Sequence, residues 1–361
     1  LRILLVEPYF GGSHRQWAEG YAAGSAHEVH LVTHEASFWK WRMEGGHVTL
    51  ADQAAVVVEQ HGQPDVVVAS DMLNLPAFLG AGRRFLGDPR VALYMHENQL
   101  TYPASHQSQE DLTHAMINWT SAVAADGVFF NSHFHLEDFF GALPELLGRF
   151  PDYRHSTYVA AARDRSSVLP VGIDLKRLDT VARQRSAPPL ILWNQRWEHD
   201  KNPEEFFRAL DVLVDDGLDF RLALAGETFS TIPGAFEDAR DRLGPRVVHF
   251  GYARQAVYDK LLRSSDVVVS TSRHEFFGVA VVEAMYAGAW PVLPNRLAYP
   301  GHIPPEHHER VLYDDFEGLV DRLRSALDGT TAELAAAVRG YDWTELAPAY
   351  DQRFEALADR R

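Results

Sequence analysis

Short runs of β-branched and aliphatic residues alternate along this chain with longer amphipathic stretches, and the whole alternating series occurs twice. That pattern admits few architectures, because strands separated by helical stretches can pair only in parallel, each crossover carrying a helix over the sheet. In the first half, residues 3–7, 29–33, 65–69, 91–95 and 128–131 read as strands, with helices expected at 15–23, 51–60 and 114–124. A second series starts near Leu190, with strands expected at 190–194, 221–225, 247–251, 267–271 and 290–293 and helices at 203–215, 236–243, 256–263 and 279–287. The join lies in the polar, proline-flanked segment 170–189, which has linker composition. At 361 residues the chain is too long for one ordinary core. The expected division is a first domain over 1–172 and a second over 173–342, with a closing helix at 343–361 packing back on the first. Two doubly wound α/β domains facing each other would bind ligand in the cleft at the carboxyl ends of their sheets.

Composition narrows the function classes. A hydrophobic share of 46% with 23% charged residues is that of a globular protein. No run of about 18 apolar residues is present, so neither a membrane span nor a membrane partner is expected. The chain opens directly on the strand-like Arg2-Ile3-Leu4-Leu5-Val6-Glu7 with no basic leader, so no signal peptide is expected, and the missing initiator Met points to trimming or truncation there. Cysteine is absent, which removes disulfides, thiolate metal sites and a cysteine nucleophile, and fits a cytoplasmic location. A formal net charge of −16 argues against indiscriminate binding to nucleic acid, while leaving room for local basic patches. One such stretch holds Arg149, Arg154, His155, Arg163 and Arg165 against Asp152 and Asp164, and by itself reads as a solvated loop.

The most informative segment runs from Ser270 to Glu283. A buried strand ends, a short loop follows, and Gly278 opens an apolar helix at Val279. Free N–H groups at a helix start favour an anion such as a diphosphate, and glycine lets the backbone approach it. Glu275 in the loop and Glu283 in the second helical turn could each accept hydrogen bonds from sugar hydroxyls, one from a transferred sugar and one from ribose. Phe277 lies between them. Upstream, Arg196 and Lys201 bracket the loop that follows residues 190–194, where a guanidinium and an ammonium could neutralise a leaving diphosphate. Lysine is scarce in the chain, occurring only at 40, 176, 201 and 260.

These two segments resemble the retaining glycosyltransferases of the GT-B fold, specifically family four, whose signature of two glutamates separated by seven residues is matched by Glu275 and Glu283. The resemblance implies a metal-independent enzyme without resident cofactor, with Arg196 and Lys201 on the diphosphate, Glu275 on the donor sugar and Glu283 on ribose. In the first domain, Gly11, Gly12 and Ser13 follow the first strand, where a glycine loop in such enzymes lies against the donor diphosphate. His96, with Glu97, Asn98 and Gln99, forms the densest polar cluster after a first-domain strand, and His96 is expected on the donor sugar or the acceptor hydroxyl. Asn131-Ser132-His133 ends another strand and is expected to line the same cleft. His302, His307 and His308 show no ligand spacing, and no metal is expected.

The match narrows over Glu7–His14, Phe38–Arg42, His96–Pro103, Arg196–Lys201 and His274–Val279, which resemble the tRNA-queuosine mannosyltransferase family, of the glycosyltransferase-like domain-containing protein 1 type. That resemblance implies transfer of mannose from GDP-mannose to the cyclopentenediol of queuosine at the wobble position of tRNA-Asp, with no protein partner. It gives acceptor-side roles to His14, Trp39, Lys40, Trp41, Arg42, Glu97, Asn98 and Gln99, since aromatics interleaved with cations suit exposed bases and phosphates. A core-facing aromatic cluster is the competing account of 38–42. Other acceptors (a lipid, a glycan or a small molecule), another donor base or sugar, and a non-catalytic binding protein are the rival readings. The acidity of the chain is the feature that fits a tRNA acceptor least well.

Overall fold

The computed structural model describes residues 1–102, 112–184, 187–227, 234–329 and 334–359. Pro103, at the end of the His96 motif, and Arg360 and Arg361, at the end of the expected last helix, lie outside the described residues.

The chain forms two units, one of Leu1–Ile173 with Tyr341–Arg361 and one of Asp174–Gly340. In the first, β1 (Arg2–Phe10), α1 (Gly12–Gly24), β2 (Glu28–Glu35), α2 (Trp39–His61), β3 (Val66–Ser70), α3 (Leu75–Gly82), β4 (Arg90–Met95), α4 (Thr113–Ala124), β5 (Gly127–Phe130), α5 (His133–Gly148), α6 (Ser156–Asp164) and β6 (Ser166–Val168) follow in turn. Its strands form one sheet in the order β2-β1-β3-β4-β5-β6. All pairings are parallel, with Leu5 opposite both Leu31 and Val68.

The second unit runs β7 (Leu190–Trp193), α7 (Pro203–Asp215), β8 (Arg221–Ala225), α8 (Gly234–Leu243), β9 (Val247–Gly251), α9 (Gln255–Ser264), β10 (Val267–Val269), α10 (Val279–Ala287), β11 (Trp290–Pro294), α11 (His308–Val311), β12 (Leu312–Tyr313), α12 (Phe316–Leu327) and α13 (Ala335–Val338). Its sheet order is β12-β11-β10-β7-β8-β9, again parallel throughout. In each sheet the chain lays strands on one side of the first strand and then crosses to the other. The order therefore reverses between β1 and β3 and between β7 and β10. Loops leaving the carboxyl ends of strands on either side of such a reversal diverge and leave a crevice. That is where the polar residues described below collect.

The last helix, α14 (Trp343–Ala358), belongs to the first unit. Asp351 accepts from the Tyr21 hydroxyl (2.9 Å), the Ser25 hydroxyl (2.6 Å) and the Ala26 N–H (2.8 Å), and the Tyr350 hydroxyl donates to the Pro170 carbonyl at 2.8 Å. Gly20 is required by this packing, because a Cβ there would stand 1.9 Å from Nε1 of Trp343.

Three departures from the sequence reading matter. The helix expected at 51–60 begins at Trp39, twelve residues earlier. Its buried positions Met43, Gly46, Leu50 and Ala54 keep helical spacing, but Gly45 and Gly46 lower helix propensity and hide the start. Residues 156–164 form α6 rather than a solvated loop. Finally, β7 and β10 stop at Trp193 and Val269, so Asn194, Ser270 and Thr271 lie just past the strand ends, buried and bonded within the second unit.

Candidate active site

In the second unit, the loop after β7 and the loop after β10 are stitched together. The Thr271 hydroxyl donates to the carbonyls of Lys201 (2.8 Å) and Asn202 (3.0 Å), and the Arg273 N–H donates to the Asp200 carbonyl at 2.7 Å. Lys201 is thereby buried, with 5% of its surface exposed. Its Nζ donates to the His274 carbonyl (2.8 Å) and lies 3.0 Å from Asp200 Oδ2 and 3.4 Å from Glu275 Oε2. Burial opposes the charge, but Glu275 and Asp200 outweigh it and hold the lysine above its ordinary pKa. Reciprocally, burial would raise the Glu275 carboxyl, and Lys201 and Arg196 overcome it and hold that group below the usual range. Arg196 is half exposed, with Glu198 at 3.5 Å.

Gly278 caps α10 in the left-handed region (φ +93), with no side chain closing the helix start. A Cβ there would meet the Tyr299 ring at 3.0 Å. Phe277 and Val279 flank it, and the Phe277 carbonyl is held by His302 Nε2 at 2.6 Å. One turn into α10, Glu283 is buried. Arg177 donates to its Oε1 at 2.6 Å and the Tyr258 hydroxyl donates to its Oε2 at 2.9 Å. Arg177 also holds Asp259 at 3.2 Å, and Asn194 Nδ2 donates to Tyr258 at 2.9 Å. Burial pushes the Glu283 carboxyl above its ordinary value even with Arg177 beside it.

In the first unit, β1 delivers Glu7, fully buried, whose Oε1 accepts the Tyr9 N–H at 2.8 Å and whose Oε2 faces His14 Nδ1 at 3.1 Å. Gly11 caps α1 without a side-chain hydrogen bond, and Gly12 has φ +53, so the helix start over Gly12, Ser13 and His14 presents open N–H groups. The His14 ring lies against His96, tilted by 39° with 4.1 Å between centroids, and Trp17 stands edge-on to His96 at 4.7 Å. Burial would lower the pKa of His14, but Glu7 outweighs it and pushes it up to about 9. His96 is held well below its ordinary value by burial, and further by its neighbours His14 and His135. Its backbone N–H donates to Asp71 Oδ1 at 2.7 Å. Two buried atoms, His96 Nε2 and Asp71 Oδ2, have no hydrogen-bond partner among the described residues. Burial pushes the Asp71 carboxyl up to about 8, against the pull of His14.

The rest of the first-unit motif divides. Asn98 is fully buried and shapes its own loop, its Oδ1 accepting from the N–H groups of Leu100 (3.0 Å) and Thr101 (3.1 Å). Gln99 donates to Glu97 at 2.9 Å. Asn131 donates to the His96 carbonyl at 2.8 Å and Ser132 caps α5, so both hold the framework. Trp39 packs inward against Met43, Met72 and Ile117, whereas Phe38 and Trp41 are 80% and 62% exposed. Lys40 lies over the Trp39 ring at 5.6 Å and Arg42 donates to the Glu35 carbonyl at 3.2 Å.

Among the described residues, two groups bring three possible metal-ligand atoms within 4.8 Å of one another: Glu7, His14 and His96, and the largely exposed Glu28, His30 and His61. In the first group Nδ1 of His14 faces Glu7 Oε2 at 3.1 Å, and the two rings are tilted by 39° to each other.

A family model for the tRNA-queuosine alpha-mannosyltransferase N-terminal region matches residues 2–173, and one for glycosyl transferases group 1 matches 177–341. The tRNA-queuosine alpha-mannosyltransferase of Drosophila melanogaster is 33% identical over 331 residues, spanning 89% of this chain and 85% of the relative. The chain belongs to the tRNA-queuosine alpha-mannosyltransferase family. It is a glycosyltransferase of the GT-B fold. A GDP-mannose:cellobiosyl-diphosphopolyprenol alpha-mannosyltransferase of Xanthomonas campestris is 26% identical over 54% of each chain. The fold is shared with the catalytic domain of starch synthase IV from Arabidopsis thaliana (TM-score 0.75, 12% identity, 100% of both chains). It is also shared with sucrose-phosphate synthase from Thermosynechococcus elongatus (TM-score 0.72, 17% identity, 100% of both chains).

For a member of the tRNA-queuosine mannosyltransferase family, the residues that sequence reasoning passed over are as telling as those it found. Asp71 carries the same signal that singled out His96, a polar residue just past a buried strand. Arg177 lies in the segment set aside as linker, and Tyr258 on an amphipathic helix, where nothing in the sequence ties either to Glu283.

Proposed function

We propose that this enzyme transfers mannose from GDP-mannose to queuosine in a tRNA, with retention at the sugar carbon. The observation that carries this reading is the family match along nearly the whole chain. The buried Lys201–Glu275 pair in front of an uncapped helix start supplies its chemistry. The bond from the mannose C1 to the diphosphate oxygen breaks, while Arg196, Lys201 and the N–H groups at Gly278 and Val279 absorb the charge that develops on the leaving GDP. The acceptor hydroxyl forms the new bond to C1 from the same face, and its proton passes to the departing phosphate oxygen. Fixed cations and backbone dipoles thus stand where other transferases place a divalent ion.

In this assignment Glu275 accepts hydrogen bonds from mannose hydroxyls, Glu283 from the ribose, and Phe277 helps shape the donor site. From the first unit, Gly11, Gly12, Ser13 and His96 contribute to donor binding, and His14, Trp39–Arg42 and Glu97–Gln99 to the acceptor side. The division of labour is an acceptor-side first domain with the closing helix, and a nucleotide-sugar-binding second domain. With a tRNA acceptor, a cytoplasmic location is part of the same proposal.

The test is mass spectrometry of queuosine-containing tRNA incubated with the enzyme and, separately, GDP-mannose, UDP-galactose or UDP-glucose. A hexose added from GDP-mannose alone is expected. Addition from a uridine donor only, or none to tRNA, would overturn the reading.

A further inference from the structure

Among the described residues, five aromatic side chains other than histidine are classed as exposed: Phe38 at 80%, Trp41 at 62%, Tyr153 at 87%, Tyr158 at 57% and Tyr252 at 69%. Four of these five lie on just two segments, the start of α2 and the turn that leads into α6. Backbone strain concentrates on the same two places. Of the five described non-glycine residues with positive φ, Phe38 (+48), Tyr153 (+46) and His155 (+55) are on them. A bulky residue held in the left-handed region is an outlier that costs about 1–3 kcal/mol. Two independent irregularities thus coincide: large rings left in water, and backbone bent to leave them there.

Both segments are anchored to α4. His114, in its first turn, receives the Trp39 ring at 5.0 Å and meets Glu44 of α2 at 2.9 Å. Five residues on, or about 7.5 Å along the axis, the buried Trp119 donates its indole N–H to His155 Nδ1 at 3.1 Å. Five residues also turn the helix by about 140°, so the two segments flank α4 rather than stack on one line of it. The cations beside the rings are spent on neutral partners. Arg42 donates to a carbonyl and to the Ser37 hydroxyl, and Arg154 to the Phe150 carbonyl at 3.1 Å. In a chain of net charge −16, that is where positive charge meets exposed π-faces.

We propose that Phe38 and Trp41 on one flank of α4, and Tyr153 and Tyr158 on the other, form one stacking surface for unpaired nucleotides of the acceptor tRNA, with Arg42 and Arg154 on its phosphates. Unpaired bases stack on any accessible aromatic face, and neighbouring guanidinium groups hold the backbone. The surface is not confined to the α2 segment whose sequence drew attention. Its second half is built by a turn that composition marks only as basic. This inference rests on the tRNA reading above.

The experiment compares wild type with Tyr153→Ala/Tyr158→Ala, Phe38→Ala/Trp41→Ala and Tyr153→Phe/Tyr158→Phe. Binding of queuosine-containing tRNA is measured by fluorescence anisotropy over a salt series, the KM for tRNA by transfer, and GDP-mannose affinity by calorimetry. Each alanine pair is expected to raise the Kd and KM for tRNA about tenfold, with donor affinity and the salt slope unchanged. The phenylalanine pair should stay near wild type. Arg154→Ala should instead lower the salt slope by about one. Wild-type tRNA affinity in both alanine pairs overturns the surface while leaving the transferase reading intact. Absence of any hexose on tRNA with wild-type enzyme sinks the tRNA reading and this inference together. If the alanine pairs lose only self-association or vesicle binding, the surface belongs to another occupant and the proposal falls.

Discussion

The two polar clusters are built on opposite electrostatic plans. Among the described residues of the second unit, the buried charges have their counter-charges: Lys201 with Asp200 and Glu275, Arg177 with Asp259 and Glu283. In the first, acids outnumber cations: Glu7, Asp71 and Glu97 stand around His14, and the buried Asp71 Oδ2 is among the atoms that meet no partner. Paired charges stay fixed across the physiological range, whereas a buried carboxyl short of cations, such as Asp71 pushed up to about 8, titrates near it. The lesson is a separation of tasks. Fixed charge suits a diphosphate that must be held and released without a change of protonation. Open, titratable groups suit sugar or acceptor hydroxyls.

The contrast breaks first at Lys201. Lys201→Ala leaves Asp200 and Glu275 without their cation, and turnover with GDP-mannose is expected to fall about 10³-fold. Near-normal turnover would remove this pair from the reaction. Next comes Arg177→Gln, which strips Glu283 of its ion pair and lets burial raise that carboxyl further. The KM for GDP-mannose should rise roughly 30-fold, more steeply at lower pH, in steady-state kinetics at pH 6 and 8. Gly278→Ala forces a Cβ into a left-handed position against Tyr299, and donor affinity by calorimetry should drop about tenfold.

The smallest effect sharpens the first-unit side. His14 has its pKa raised to about 9, so its stabilisation is full below about 6.5 and is lost as pH climbs through 9. Asp71, raised to about 8, prefers its neutral form in the fold and loses stability as pH rises above its ordinary value of 3.8. Both run in one direction. The thermal midpoint should fall by about 5 °C between pH 6 and 9, and Glu7→Gln should flatten the upper part of that fall. An undiminished slope in Glu7→Gln would show that Glu7 does not hold the charge on His14.

Much of the fold was legible because most of its strands are buried apolar runs, as at β8, and even the partly exposed edge strand β9 coincides with the expected 247–251. Elements stabilised chiefly by tertiary packing were not. The first turns of α2 are obscured by Gly45 and Gly46, and α5 carries Pro144 inside it. The candidate site was legible where a dense polar motif follows a strand, as at His96 and in the loop after β7 that carries Lys201, although the lone Asp71 after β3 was missed. It was illegible wherever a partner arrived from a distant element, as with Arg177, 106 residues from Glu283. Periodicity reports which face of an element is buried, but carries no information on what meets it there.

The placement of α14 bears on how the molecule is made. The first unit begins at residue 1 yet takes its last helix from residues 343–358, with all of the second unit encoded between them. A ribosome therefore releases a complete second unit while the first still lacks the ring of Tyr350 and the carboxylate that Tyr21, Ser25 and Ala26 share. Amino-terminal-first folding during synthesis can therefore complete the second unit's residues before the first unit has its last helix. A nascent chain must carry its first unit unfinished until α14 has been made.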